Sequence, residues 1–108
     1  MLITLVKTGA DDRRHYYSIH DRQAGLFSSY TLTIVWGPSP HRGRERVYSF
    51  DTRRALERKL RSILKRRFSS GYSLLYSYSR SNNYRTILQE EFRVRRSSMH
   101  RSAGGSSA

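Results

Sequence analysis

The sequence has no cysteine and only eight acidic residues in a chain of 108 amino acids. The absence of cysteine excludes disulfides and thiolate metal sites, which suits a reducing cytoplasm. The four histidines show neither HxxH nor HExxH spacing, so the pattern predicts no zinc site. We therefore expect a protein that is not an enzyme and that holds no metal or cofactor, located in the cytoplasm or associated with the nucleoid.

Long hydrophobic runs are also missing from the sequence. The apolar segment LITLV near the N-terminus is interrupted by a threonine, and it is far too short for a signal peptide or a membrane span. A chain of this length has room for one domain. The last residues, SSMHRSAGGSSA, offer nothing to bury, so we expect residues 97–108 to form a disordered tail.

Arginine is the residue that the sequence has in excess. Lysine and arginine together number 21, which gives a formal net charge of +13. Such a field attracts polyanions, and the planar guanidinium group both binds phosphate in a bidentate manner and stacks on bases. A membrane surface would require an apolar helix face beside the basic one, and the core needs the only such face. Nucleic acid is the predicted partner, with DNA preferred.

Hydrophobic periodicity predicts an α+β fold with the element order β-β-β-β-α-β. Alternation of apolar and polar residues predicts strands at residues 2–6, 14–20, 27–36, 44–50 and 72–79. The segment GPSPHRG between the third and fourth strands must be a turn, because prolines do not fit a strand ladder. The strands form a twisted antiparallel sheet of four or five strands.

One main helix is predicted to pack across this sheet. Apolar residues at helical spacing extend over residues 53–68, after an N-cap at Asp51 or Thr52 and before a left-handed cap at Gly71. The folded domain is therefore expected at residues 1–78. The segment 79–96 carries apolar residues on one side and is predicted to add a short docking helix.

The single tryptophan, Trp36, lies at the end of the third predicted strand. One interpretation is a stacking platform, because an indole at a strand end covers a base or a sugar ring. The other is a core position, because alternation places Trp36 on the same face as Leu32 and Ile34. The sequence leaves both interpretations open.

Two groups of basic residues are candidate phosphate contacts. The loop after the tryptophan carries three arginines around a glycine, which lets backbone amides approach an anion closely. These are Arg42, Arg44 and Arg46. The side of the predicted helix opposite its apolar stripe carries a basic ridge, consisting of Arg54, Arg58, Arg61 and Lys65.

The basic ridge consists of like charges at helical spacing, which destabilise a helix slightly and favour a counter-charge. Only Glu57, four residues before Arg61, is expected to soften the local field. The alternative for both basic groups is a solvated surface, formed by a hairpin tip and by a helix face that keeps the protein soluble.

The order of these residues resembles the WGR domain, a small module of DNA-dependent poly(ADP-ribose) polymerases and of bacterial proteins. The family pattern runs Trp-Gly-Arg, a hydrophobic residue, Gly, two variable residues and Gly-Gln, followed by Phe, Ala, Lys and Gly-Tyr. The matching positions are Trp36, Gly37, Gly43, Phe50, Ala55, Lys65, Gly71 and Tyr72. The resemblance covers roughly residues 2–78 and implies a sheet-plus-helix fold that binds DNA.

The sequence departs from the family pattern at three positions of the motif. Pro38 replaces the arginine, Pro40 the next glycine and Arg44 the glutamine. In the polymerases, the tryptophan and arginine of this motif contact a DNA strand end, stacking on sugar and binding phosphate. The resemblance implies the stacking role for Trp36. It assigns the phosphate-binding role to no residue, although Arg42 or Arg44 could supply the charge from the same loop.

The sequence thus predicts non-enzymatic, sequence-tolerant binding to nucleic acid, with duplex DNA and its strand ends as expected partners. The alternative is a protein-interaction module, because WGR-like domains also dock on neighbouring domains and a basic surface suits an acidic protein. Salt separates the two functions. Phosphate contacts release counterions and give a steep salt dependence, whereas a protein interface depends on a few buried anchors.

Overall fold

The computed structural model describes residues 1–22, 30–40, 42–80 and 83–92. Within these ranges the strands are β1 (Leu2–Thr8), β2 (Arg14–His20), β3 (Tyr30–Gly37), β4 (Arg44–Phe50) and β5 (Ser73–Tyr78). The helices are α1 (Arg53–Ser69) and α2 (83–92). Neither described helix is long and apolar enough to cross a membrane. The expected tail at 97–108 and the expected start of the third strand at 27–29 lie outside the described residues.

The strands form one antiparallel sheet with the order β4-β3-β2-β1-β5. The first four strands pair with their neighbours in sequence, and β5 returns after α1 to pair with the free side of β1. Because side chains alternate along a strand, Leu32 and Ile34 point to the side that carries the helices, the helical face. The side chain of Thr33 points to the opposite face. The predicted α+β fold class is confirmed.

Local signals at both ends of α1 explain where the helix begins and ends. The side-chain oxygen of Thr52 accepts a hydrogen bond from the amide of Ala55 at 3.1 Å, as an N-cap does. After the helix, the amide of Gly71 donates to the carbonyl of Phe68. Gly71 has a φ of +101°, a left-handed conformation that glycine adopts without a steric penalty.

The apolar stripe of α1 packs across the helical face and forms the core. Five side chains of the stripe are buried, as the sequence predicted: Leu56, Leu60, Ile63, Leu64 and Phe68. They pack against inward-facing residues of three strands: Ile3, Leu5, Tyr17, Ile19, Leu32 and Ile34. Burial of each such side chain stabilises the fold by roughly 1.5–3 kcal/mol relative to exposure.

The second helix, α2, contributes to the same core. Tyr84, Ile87 and Leu88 are buried, and the ring of Phe92 meets that of Phe68 edge-on, with 5.8 Å between centroids. Apolar packing therefore holds α2 on the domain. The docking helix was predicted within residues 79–96. Of that segment, residues 81–82 and 93–96 lie outside the described residues.

Strand β5 departs from the alternation that its sequence predicted. Leu74 pairs with Leu5, but Tyr76 pairs with Thr4, so the register shifts between these pairs. The extra residue is Leu75, in the manner of a β-bulge, in which two residues of one strand oppose one residue of its neighbour. Regular alternation over residues 72–79 would place Leu74 and Tyr76 on one face, and the inserted residue puts them on opposite faces; sequence alternation carries no information about such an insertion.

The bulge changes what each side of β5 presents. Tyr76 and Tyr78 lie on the opposite face, where they are 53% and 52% exposed. Ser77 instead pairs with Ile3 and lies on the helical face, next to α2. A small side chain thus occupies a position where unbroken alternation would place a tyrosine.

The β3–β4 hairpin closes where two stretches of backbone touch. A Cβ atom on Gly43 would lie 2.0 Å from the carbonyl oxygen of Trp36 and 3.2 Å from the Cα of Gly37. Such distances leave no room for any side chain at position 43. The close contact therefore explains why glycine occupies positions 37 and 43, the two hairpin positions that match the WGR pattern, without reference to any ligand.

Replacing Gly43 by alanine should lower the free energy of unfolding by at least about 2 kcal/mol, because the two backbones must separate. Gly71→Ala is the matched control. This substitution puts alanine in a left-handed conformation, which should lower the free energy of unfolding by about 1–2 kcal/mol. The added methyl group contacts only the flexible side chain of Lys7. Urea unfolding followed by Trp36 fluorescence measures both. A smaller effect of Gly43→Ala than of Gly71→Ala would show that the hairpin relaxes around the methyl group.

Candidate nucleic-acid interface

Trp36 is half-buried on the helical face of the sheet. It pairs with Tyr17 on β2 and with Arg44 on β4, and directly paired residues share a face. The indole packs against the core while part of its surface stays accessible. Core packing and ring stacking are therefore compatible at this position.

A cleft of about 230 Å³ opens beside Trp36, between the strands and the C-terminal end of α1. Its lining is mostly aromatic and cationic. We call it the Trp36 cleft. The residues that line it are Tyr17, Ile34, Trp36, Arg46, Tyr48, Arg67 and Tyr72. None of them is acidic. The cleft therefore offers flat rings and positive charge in one place.

One wall of the Trp36 cleft is formed by Arg67 and two tyrosines. The guanidinium carbon of Arg67 lies 4.3 Å from the ring centroid of Tyr17 and 5.9 Å from that of Tyr72. This cation–π contact holds the guanidinium group at the rim. Burial raises the pKa of the Tyr17 phenol and Arg67 partly opposes that effect, so the phenol is neutral at physiological pH.

The other wall is formed by Arg46 and Tyr48, and the ring of Tyr48 also contacts Lys59, which does not line the cleft. The guanidinium carbon of Arg46 lies 5.0 Å from the Tyr48 ring centroid, and the ammonium nitrogen of Lys59 lies 4.6 Å from it. Long basic side chains of this kind pack their stems on apolar surface and keep their charge in water. The Tyr48 ring thus positions two cations, of which Arg46 lines the cleft.

Within the described ranges of the chain, no carboxylate forms an ion pair with a cation of the Trp36 cleft. Among the residues that the structure describes, the cations in ion pairs are the N-terminus, Arg13 and Arg61. Neither Arg46 nor Arg67 pairs with a described carboxylate. In the same part of the chain, no three histidine, aspartate or glutamate side chains come together as a metal site.

The structure divides the predicted site residues into three groups. Trp36 and Arg46 line the cleft, and Arg44 pairs with Trp36 across the two strands. Arg42 is exposed in the hairpin loop, and Pro40 of the same loop lies over the opposite face. There, the hydroxyl of Ser18 donates to the carbonyl of Pro40 at 3.2 Å.

The basic ridge of α1 forms the third group, and one of its members is occupied within the fold. Arg61 binds Glu90 at 2.5 Å and Glu91 at 3.4 Å, both on α2. The sequence indicated Glu57 as its partner, which is wrong because α2 brings two carboxylates to this point. The remaining ridge residues are exposed: Arg54, Arg58 and Lys65.

Sequence reasoning missed Arg67 and the tyrosines of the cleft, as well as Lys59 beside it, although a signal for the two cations existed. Arg67 follows Ile63 by four positions, and Lys59 precedes it by four. Both cations therefore lie on the apolar side of the helix, where a charged residue must face the sheet. Tyr17 and Tyr48 gave no such signal, because strand alternation does not reveal which residues pair across strands.

Acrylamide should quench the fluorescence of Trp36, the only tryptophan, at a rate between those of free indole and a buried residue. Arg67→Ala should increase the quenching rate, because it removes one wall of the cleft. Lys65→Ala, on the outer side of α1, is the matched control and should leave the rate unchanged. Equal quenching in the parent and Arg67→Ala would show that Arg67 does not shield the indole in solution.

No protein-family model, no curated protein and no solved structure gives a significant match to this chain. The resemblance to the WGR domain stays a prediction from the spacing of its residues.

Proposed function

We propose that this protein binds nucleic acid without catalysing a reaction, with DNA as the preferred partner. The observation that carries the proposal is the Trp36 cleft. It combines four aromatic rings with two guanidinium groups, and neither of these groups has a described acidic partner. The rings suit the flat parts of a nucleotide, and the guanidinium groups suit its phosphate.

A nucleotide presents a ring and an anion a few ångströms apart, and the cleft is built in the same way. Stacking of a base on an aromatic side chain contributes about 1–3 kcal/mol and tolerates any base. Arg46 and Arg67 line the cleft from β4 and α1, and each guanidinium group can bind phosphate oxygens in a bidentate manner. Rings and phosphates occur in every nucleotide, so binding is sequence-tolerant.

The wider basic surface supports the same function. Arg42, Arg54, Arg58 and Lys65 are exposed and would contact the backbone of a polymer that extends beyond the cleft. The net charge of +13 would speed association with a polyanion. Arg61 contributes less, because Glu90 and Glu91 neutralise it.

The residue pattern around Trp36 supports a finer version of the proposal, in which the domain is a WGR-like module. In that version the partner is duplex DNA, including its strand ends, and the indole stacks where a sugar or a base becomes accessible. A bacterial protein of the cytoplasm or nucleoid would fit this role.

Replacing both cleft arginines, Arg46 and Arg67, by glutamine should weaken binding to every DNA sequence alike. The slope of log affinity against log salt should flatten by about 0.9 for each phosphate that the variant no longer neutralises. Trp36→Leu should lower affinity by about 1–3 kcal/mol while the slope stays the same, because stacking releases no counterions. Fluorescence anisotropy with labelled duplex and single strands, over a salt series, measures both effects.

The matched control replaces Arg22 and Arg80 by glutamine. These two arginines follow β2 and β5 at the end of the sheet that is remote from the cleft. This variant has the same net charge as the cleft variant and should keep a larger share of the affinity. Thermal melting must show that all variants fold. Equal effects of cleft and control variants, or no binding of the parent at about 50 mM salt, would refute the proposal.

A further inference from the structure

A second groove, of about 380 Å³, lies between β5 and α2. Ile3 forms part of its floor, and Tyr84 and Leu88 of α2 form one side. Ser77 lies on the β5 side because of the bulge, which turns the larger Tyr76 to the opposite face. The groove therefore exists because the register shift places a small residue next to the helix. It shares no lining residue with the Trp36 cleft.

The strand beside this groove is an edge of the described sheet. Its sequence, SLLYSY, contains no charge, glycine or proline, in a chain whose residues are 27% charged. Leu75 and Tyr76 are 56% and 53% exposed. Natural proteins protect edge strands with charges, especially lysine, or with proline, as the other edge β4 does with RER at its start. Strand β5 carries neither charge nor proline in its own sequence.

We propose that β5 and the adjoining groove bind an extended segment of a partner protein. The segment adds a strand to the free edge of β5 and inserts one apolar side chain into the groove. In this mode of recognition, main-chain hydrogen bonds supply affinity and the pockets beside the strand supply specificity. The apolar anchor rests on Ile3, Tyr84 and Leu88, all of which line the groove.

Charge identifies the partner segment further. Arg85 lines the groove and donates a hydrogen bond to the carbonyl of Ser79 at 3.0 Å, and no described carboxylate pairs with it. Glu90 and Glu91 on the same helix bind Arg61 instead. The groove thus favours an acidic residue beside the apolar anchor. A second copy of this chain fits poorly, because it would bring another +13 charge and an uncharged β5.

This surface gives the predicted acidic protein partner a specific location, and it does not depend on nucleic-acid binding. The test uses the full chain and blocked synthetic peptides of extended, alternating sequence. The probe TVTLDVE carries one leucine anchor and two acidic residues. The control TVTSDVE has the same charge and lacks the anchor. Amide chemical shifts in ¹⁵N-labelled protein report where each peptide binds.

The leucine peptide should bind with a dissociation constant tighter than about 100 μM and shift amides of β5 and α2. Ser77→Tyr should fill the groove and weaken this binding at least tenfold. Val47→Tyr, which adds a tyrosine at an exposed position of the other edge strand, should leave it unchanged. Arg85→Glu should weaken binding of TVTLDVE and strengthen binding of its basic counterpart TVTLKVK, which also shows that the variant groove is folded.

Several results would overturn the proposal. Equal binding of the leucine and serine peptides would show attraction to the net charge alone. Unchanged binding to Ser77→Tyr, or shifts confined to the Trp36 cleft, would place the peptide elsewhere. Failure of the leucine peptide and of versions with phenylalanine or isoleucine to bind at about 1 mM would exclude the groove as a peptide site. A dimer paired through β5 in sedimentation would replace the partner with a second copy.

Discussion

The packing of the α1 stripe across the sheet is the contact on which both proposed surfaces depend. Leu60 and Leu64 are fully buried against the strands, and this contact fixes the axial position of the helix. The C-terminal turn then brings Arg67 over Tyr17, which forms one wall of the Trp36 cleft. The next residue, Phe68, contacts Phe92 of α2. Because α2 forms one side of the second groove, that groove also depends on the position of α1.

A net charge of +13 on so small a domain raises the question of how the folded state tolerates self-repulsion. Few cations in the described residues are neutralised by carboxylates. Several others lie over aromatic rings, as Arg46 and Lys59 do on Tyr48. Such contacts stabilise by about 0.5–1 kcal/mol at exposed sites and leave the charge uncompensated. This arrangement suits a protein whose counter-charge comes from a ligand, because bound phosphates would relieve the repulsion.

Two irregularities in an otherwise regular sheet give the molecule its distinct surfaces. The contact at Gly43 closes the β3–β4 hairpin and sets Trp36 directly across from Arg44. The bulge at Leu75 turns Tyr76 outward and leaves Ser77 beside α2, which opens the second groove. One irregularity therefore supports the proposed nucleic-acid cleft and the other the proposed peptide groove, on different parts of the helical face.

The sequence by itself determined the element order, the stripe of α1 from Leu56 to Phe68, the left-handed cap at Gly71 and an N-cap at Asp51 or Thr52, because periodicity and capping are local properties of the chain; the structure decided for Thr52. Only the tertiary structure decided which side chains meet. Strand register placed Tyr17 across from Trp36, and α2 took Arg61 out of the basic ridge. Such pairings join residues distant in the sequence, so no local pattern encodes them. The bulge escaped prediction for a related reason: it depends on how β5 pairs with β1, and alternation within β5 does not record that pairing.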